Sequence, residues 1–276
     1  MIIISNKPGQ LANLLLVYAN FFAFGKEHNI KIVNPAFHNY AGYFKNKKRF
    51  IQNSFSFKLN NLFARAFKKL KTRNSIISSV AIDNQAFFDL ESPYALQKLS
   101  GRFCFVMGWL YRGNGLITKH STDIRNFFAP NQKHLENINS FFIQNRLEKN
   151  KVLIGIHIRR GDYKTFENGK YFYCYEDYKK IMGKISALSE NTEITFLICS
   201  NEPDIKNKFG ECNHTIIFGP GHELEDLYCF SKCTYLAGPP STYTMWASFY
   251  GEVPLYMIKD PESEFTLKDF RIQDKF

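Results

Sequence analysis

The chain has 276 residues, with 36 Lys and Arg against 25 Asp and Glu, a formal charge of +11, and 45% hydrophobic content. That is enough to bury a large core or two smaller α/β domains, and the composition is that of a globular protein rather than a disordered one. The positive excess, with 28 Phe and 15 Tyr, favours polyanionic partners, namely nucleic acid, anionic lipid or a nucleotide diphosphate, without choosing among them.

Met1–Ser5 reads as a buried strand, Lys7-Pro-Gly-Gln10 as a turn, Leu11–His28 as a mostly apolar helix and Ile30–Val33 as the next strand. This is a βαβ opening whose glycine turn aims backbone N–H groups at an anion. Leu11–Phe24 is apolar behind Lys7, but it carries Asn13 and Asn20, lacks a small-residue cleavage site and is too short for a bilayer. Neither a leader peptide nor a membrane span is expected. From Lys45 to Arg73 there are ten basic residues and no acidic one. Leu59, Leu62, Phe63, Ala66, Phe67 and Leu70 share helical spacing there, with Arg65, Lys68, Lys69 and Lys71 on other faces, the pattern of a basic amphipathic helix. Such a helix either presents a solvated face above its own core or rests on an anionic membrane surface; no nucleic-acid module accompanies the charge.

Arg102–Trp109 reads as a strand, Arg112-Gly-Asn-Gly115 as a turn, Ser121–Phe128 as a short capped helix and Asn131–Lys149 as a longer one. The hydrophilic run Asn145–Lys151 is the best boundary, giving domains of 1–149 and 150–276. The six cysteines (Cys104, Cys174, Cys199, Cys212, Cys229, Cys233) form no Cys-x-x-Cys pair. Cys229 and Cys233 lack two further ligands, so reduced core thiols in a cytoplasmic protein are expected.

Beyond the boundary the chain alternates. Val152–Ile158 is an apolar run broken only by Gly155 and His157, as in a strand buried on both faces, and it stops at Arg159-Arg160-Gly161-Asp162. Two guanidiniums at the end of a parallel strand face the crevice where open α/β sheets bind ligands, with donor forks suited to phosphate. The same residues could instead form a surface ion pair. Then follow a helix from Tyr175 to Leu188, strand Ile194–Cys199, a short helix over Asp204–Phe209 and strand His214–Phe218. Helix Leu224–Cys233, strand Thr234–Ala237, helix Ser241–Tyr250 and strand Val253–Ile258 complete a parallel sheet covered on both sides. The charged stretch Lys259–Phe276 is a candidate for a helix returning across the first domain.

His157-Ile-Arg159-Arg160-Gly161-Asp162 resembles the His-x-Arg-Arg-x-Asp signature of the α1,2- and α1,6-fucosyltransferases, which take fucose from GDP-fucose. Ser241-Thr-Tyr-Thr-Met-Trp246, fifteen residues after Asp226, is similar to that family's Ser-Ser-Phe-Ser-x-Trp segment. Cys199-Ser200-Asn201 is similar to its Phe-Ser-Asp. Lys7–Leu14 resembles its Gly-x-x-Gly-Asn-Gln loop in degraded form: Gly9 and Asn13 match, while Ala12 and Leu14 replace the second glycine and the glutamine. The resemblance implies a GT-B-like α/β fold, two facing Rossmann-type domains with parallel sheets, the donor site lying in the second. It implies an α1,2-fucosyltransferase-like, inverting reaction that needs no metal and no cofactor besides the GDP-fucose donor, with a glycan as acceptor and no nucleic acid as partner. Arg159 would bind the β-phosphate, supported by Arg160 and Asp162. His157 would point toward ribose or base, and Asp226 would accept from guanine. Ser241, Thr242 and adjoining N–H groups would cradle phosphate, with Ser200 at the neighbouring strand end and Asn13 on the acceptor side. The base would be Glu167 or Asp162. A transferase for another nucleotide sugar, and an inactive nucleotide-binding relative, remain open, as does a cytoplasmic protein peripheral to the inner face of the membrane.

Overall fold

The computed structural model describes residues 1–46, 54–69, 76–83, 86–147, 152–188, 193–210 and 212–276. The rest, including most of the expected boundary run (148–151) and the flanks of the basic helix (47–53 and 70–75, with Leu70, Lys71 and Arg73), lies outside the described residues. The chain forms two compact units: Met1–Gln132 with Asp274–Phe276, and Lys133–Gln273.

In the first unit, β1 (Ile2–Ile4) leads into α1 (Leu11–Glu27) and β2 (Ile32–Val33), followed by α2 (Ser54–Lys69), β3 (Ile77–Ala81), β4 (Phe88–Asp89) and α3 (Ala95–Lys98). β5 (Phe103–Met107), β6 (Tyr111–Arg112), α4 (Asn114–Lys119) and α5 (Ser121–Phe127) complete it. Its main sheet is parallel in the order β2-β1-β5-β3, and β4 pairs with β6. The polar residue inside α1 has a definite job: Asn20 is fully buried, donates to Leu16 O at 2.9 Å and accepts from Gly113 N at 2.8 Å. The expected turn over Arg112–Gly115 instead runs into α4, and β3 is a strand that its mixed Ser-Ser-Val sequence does not announce.

The second unit holds α6 (Gln132–Gln144), β7 (Val152–Ile158), α7 (Tyr175–Ala187), β8 (Ile194–Ser200), β9 (Thr215–Phe218), α8 (Glu223–Phe230), β10 (Tyr235–Gly238), α9 (Thr242–Gly251) and β11 (Leu255–Met257). The sheet is all parallel, in the order β11-β10-β7-β8-β9. β7 is central because both of its faces are apolar. Gly155 breaks that run for a packing reason: a Cβ there would stand 2.5 Å from Leu236 Cδ2 and 2.7 Å from Phe230 Cδ1. The chain leaves β7 toward β8 and β9, then returns to lay β10 on β7's other side, so the strand order reverses between β7 and β10. Helix α6, placed before the boundary by its sequence, packs with this unit through a buried His134 Nδ1–Glu225 Oε1 contact of 2.8 Å. Lys259–Phe276 is not a helix. It contains a single 3-10 turn, Leu267–Asp269, and an antiparallel bridge between Arg271 and Leu255.

Candidate active site

The strand order reverses between β7 and β10, and in open α/β sheets ligands sit in the crevice at the carboxyl ends of the strands flanking such a reversal. β7 delivers Arg159 there directly. Its Nε and terminal nitrogen donate to the two oxygens of Asp162 at 2.9 and 2.8 Å, a two-pronged fork. Burial works against the Arg159 charge, but the Asp162 carboxylate outweighs it and raises the pKa; the same fork holds Asp162 below the usual carboxylate range. Asp162 is mostly exposed, its side chain 59% accessible against 21% for Arg159, so a ligand can take its place.

Arg160 points elsewhere. Its guanidinium lies 4.3 Å from the Phe172 ring and 4.5 Å from that of Tyr175, and donates to Tyr173 O at 2.5 Å. It clamps the loop that follows the motif and does not join Arg159 in a paired anion site. Its backbone N–H donates to Asn201 Oδ1 at 3.4 Å, tying the ends of β7 and β8. Ser200, the last residue of β8, accepts from Glu202 N at 3.1 Å and shapes the same loop end.

His157 is buried, its Nδ1 has no hydrogen-bond partner among the described residues, and its ring stacks on Tyr243 at 5.1 Å. Burial, then the neighbouring Arg159, holds its pKa at about 3, so the imidazole is neutral at ordinary pH. Gly238 at the end of β10 is what lets it fit: a Cβ there would come within 2.9 Å of His157 Cβ.

After β10, Pro239-Pro240 leads to Ser241, the N-cap of α9, whose Oγ accepts from Tyr243 N at 3.2 Å. Thr242 is the first residue of the helix. The start of α9 therefore presents a positive helix end and hydroxyl residues to the crevice. Tyr163 stitches this end to the arginine motif: its ring faces Arg159 at 5.4 Å and its hydroxyl donates to Pro240 O at 2.5 Å. On the other side Tyr243 OH donates to Glu223 O at 2.7 Å, joining α9 to the first turn of α8.

That turn carries Asp226, 7% exposed, whose Oδ1 accepts from Gly221 N at 2.9 Å. Burial raises its pKa to about 6, partly offset by the Gly221 bond. Gly219 must lack a side chain, since a Cβ would stand 2.6 Å from both Asp226 Oδ1 and Cys199 Sγ.

Glu167 lies in the loop after the motif, exposed, with left-handed backbone at φ 48° and Asn168 beside it at 57°. Among the described residues no side-chain bond links Glu167 to the others. Asn13 belongs to the first unit, in the first turn of α1 directly under Gly9, whose φ of +71° shapes the loop. Leu14, where the resemblance calls for glutamine, is fully buried and serves the core.

Two groups are absent from the sequence reading. Tyr163 and Tyr243 hold the motif and the two helix starts together; the hydroxyl that Tyr243 adds where the resemblance has phenylalanine was the available signal. Glu225 accepts from Asn137 Nδ2 at 2.6 Å as well as contacting His134. Among the described residues His134, His222 and Glu225 are the grouping with metal-ligand character, their ligand atoms within 4.8 Å of one another. His222 Nδ1 already accepts from Leu224 N at 3.2 Å as the N-cap of α8.

The sequence profile described as "Glycosyl transferase family 11" matches residues 118–273, more than half of the chain. No curated protein sequence matches it. Among solved structures the fold is similar to a mutant of Arabidopsis thaliana FUT1 in complex with GDP, at TM-score 0.65 and 13% identity over 93% of this chain and 70% of that one. It is similar to the fucosyltransferase NodZ from Bradyrhizobium, at TM-score 0.56 and 12% identity over 95% and 96%. A glycosyl transferase family 9 protein from Veillonella parvula, at TM-score 0.53 and 13% identity over 99% and 85%, shares the same α/β architecture with parallel sheets.

Proposed function

This chain belongs to glycosyl transferase family 11, and on that premise we propose that it transfers fucose from GDP-fucose to a glycan hydroxyl, by single displacement with inversion at the anomeric carbon and without a metal ion on the diphosphate. The observation that carries the reading is Arg159 at the carboxyl end of β7, at the strand-order reversal and stitched through Tyr163 to the Ser241-capped start of α9. A guanidinium fork and a helix start together supply the positive charge that a departing diphosphate needs. Donor binding exchanges the exposed Asp162 for phosphate oxygens on Arg159. The FUT1 structure holds GDP and a NodZ structure was soaked with GDP-fucose, which favours the same donor here.

Asp226 accepts from the guanine N1 and N2 donors, a pairing that adenine and uracil do not offer. The neutral His157 ring and Tyr243 form the wall between the base end and the diphosphate end. Arg160 holds the motif loop, Asp162 holds the fork of Arg159 until the donor arrives, and Ser241, Thr242 and Ser200 line the cradle. We assign the acceptor's base to Glu167, an exposed carboxylate on the loop after the motif that no described side chain engages. Asn13 serves the acceptor side.

The test is a thermal-shift panel of GDP, UDP, CDP and ADP, followed by transfer from GDP-fucose to free glycans. GDP should raise the melting temperature most, since ligand at ~100 times its Kd adds ~2.7 kcal/mol. A larger response to UDP or CDP would identify a transferase for another nucleotide sugar, and GDP binding without transfer to any glycan an inactive relative.

A further inference from the structure

Helix α2 carries large apolar side chains on an exposed face. Among the described side chains of α2, Ala64 is fully buried against Ile3 and Phe105, and Asn61 Nδ2 donates to Ser5 O at 2.8 Å. Leu59, Leu62 and Phe63 are 40%, 65% and 44% exposed, and Ala66 is exposed with them. Offsets of three, four and seven residues put these four on one arc, which for a surface helix is ordinarily the arc turned to the core. Single exposed apolar residues are common, but two Leu and a Phe on adjoining turns of one arc make a patch. Lys58 and Arg65 flank it, both exposed, within the sequence from Lys45 to Arg73 that has ten basic residues and no acidic one.

We propose that α2 docks this protein on an anionic lipid bilayer, with Leu62 and Phe63 entering the boundary between headgroups and acyl chains and Lys58 and Arg65 meeting lipid phosphates. An apolar arc flanked by cations is what an interfacial helix needs. A second copy of the chain is a poor occupant, because it would bring two such basic segments together. Nucleic acid would use the cations and leave the apolar arc in water.

The experiment is co-sedimentation of the full chain with phosphatidylcholine vesicles, with and without phosphatidylglycerol, in low and high salt. The protein should pellet only with the anionic vesicles and be partly released by salt. Lys58→Gln with Arg65→Gln should weaken binding by about thirtyfold, at roughly fivefold per charge near the surface. Leu62→Ser with Phe63→Ser should weaken it at least as much. Both variants should keep the wild-type thermal response to GDP, which shows that they fold and separates this proposal from the donor assignment. Failure to pellet with anionic vesicles, undiminished pelleting of the Leu62→Ser/Phe63→Ser chain, or a concentration-dependent dimer that those two changes dissolve would each overturn the proposal.

Discussion

Arg159 and Asp226 carry the sharpest expectations at the scale of single residues. Arg159→Ala should weaken GDP binding by about 1.5–3 kcal/mol, the range for hydrogen bonds to charged groups, and should lower turnover further. Arg159→Lys should be impaired too, because an ammonium cannot reproduce the fork. Calorimetric titration with GDP checks both; a wild-type Kd for Arg159→Ala would remove the arginine from the donor site. Asp226 behaves oppositely toward folding and binding. Its folded pKa, about 6, is raised above the 3.8 of an unperturbed aspartate. Its contribution to folding is therefore fully present below the unfolded value and is lost as pH rises from about 4 through 6. Base recognition needs the ionised carboxylate, so GDP affinity should fall as pH drops below about 6 while the empty fold gains stability. Asp226→Asn should melt higher at neutral pH, flatten this pH dependence and bind GDP more weakly. Asp226 and Ser241 could be picked out from the sequence because a motif supplied their spacing. The bonding of Tyr243 to Glu223 O could not, since no local pattern encodes a contact between two helix starts.

Elements in the second unit could be read closely, because a parallel strand buried on both faces leaves an uninterrupted apolar run. β7 begins and ends where its run does, and β8, β9 and β10 differ from their expected bounds by a residue or so. Reading failed where tertiary packing overrides local pattern. The mixed β3 is a strand because β5 offers it a pairing edge, and Leu59, Leu62 and Phe63 of α2 are exposed. The allegiance of α6 was invisible for the same reason: His134 and Asn137 meet Glu225 far along the chain. His134→Ala should therefore destabilise the chain by about 1–3 kcal/mol, the cost of leaving a buried polar group short of a partner. The same change should shift GDP binding little, because Glu225 and not Asp226 loses its contact. Urea unfolding beside GDP titration tests the pair, and a large loss of GDP affinity with intact stability would mean that α6 shapes the base pocket. Ser241→Ala should cost about 1 kcal/mol of stability as a lost cap, together with weaker donor binding.

For the molecule as a whole, transfer should persist in excess EDTA, because the proposal assigns leaving-group charge to Arg159 and the start of α9. Loss of turnover on chelation, restored by magnesium or manganese, would refute that assignment. The strand order has a further consequence, for how the chain reaches its native state. β7 can pair with β8 early, across a single helical connection, but Ile154 must wait for Tyr235, which is reached only after β8, β9 and α8 have been laid down. Closing such long loops slows folding, and parallel pairing between distant segments is the slow kind. The crevice lies at this late seam, with Arg159 on one side and Ser241 on the other. A refolding chain should thus regain helical circular dichroism well before it regains GDP binding. Nucleotide affinity would then report the last step of assembly, and nascent chains released before β10 would hold both arginines yet bind no donor.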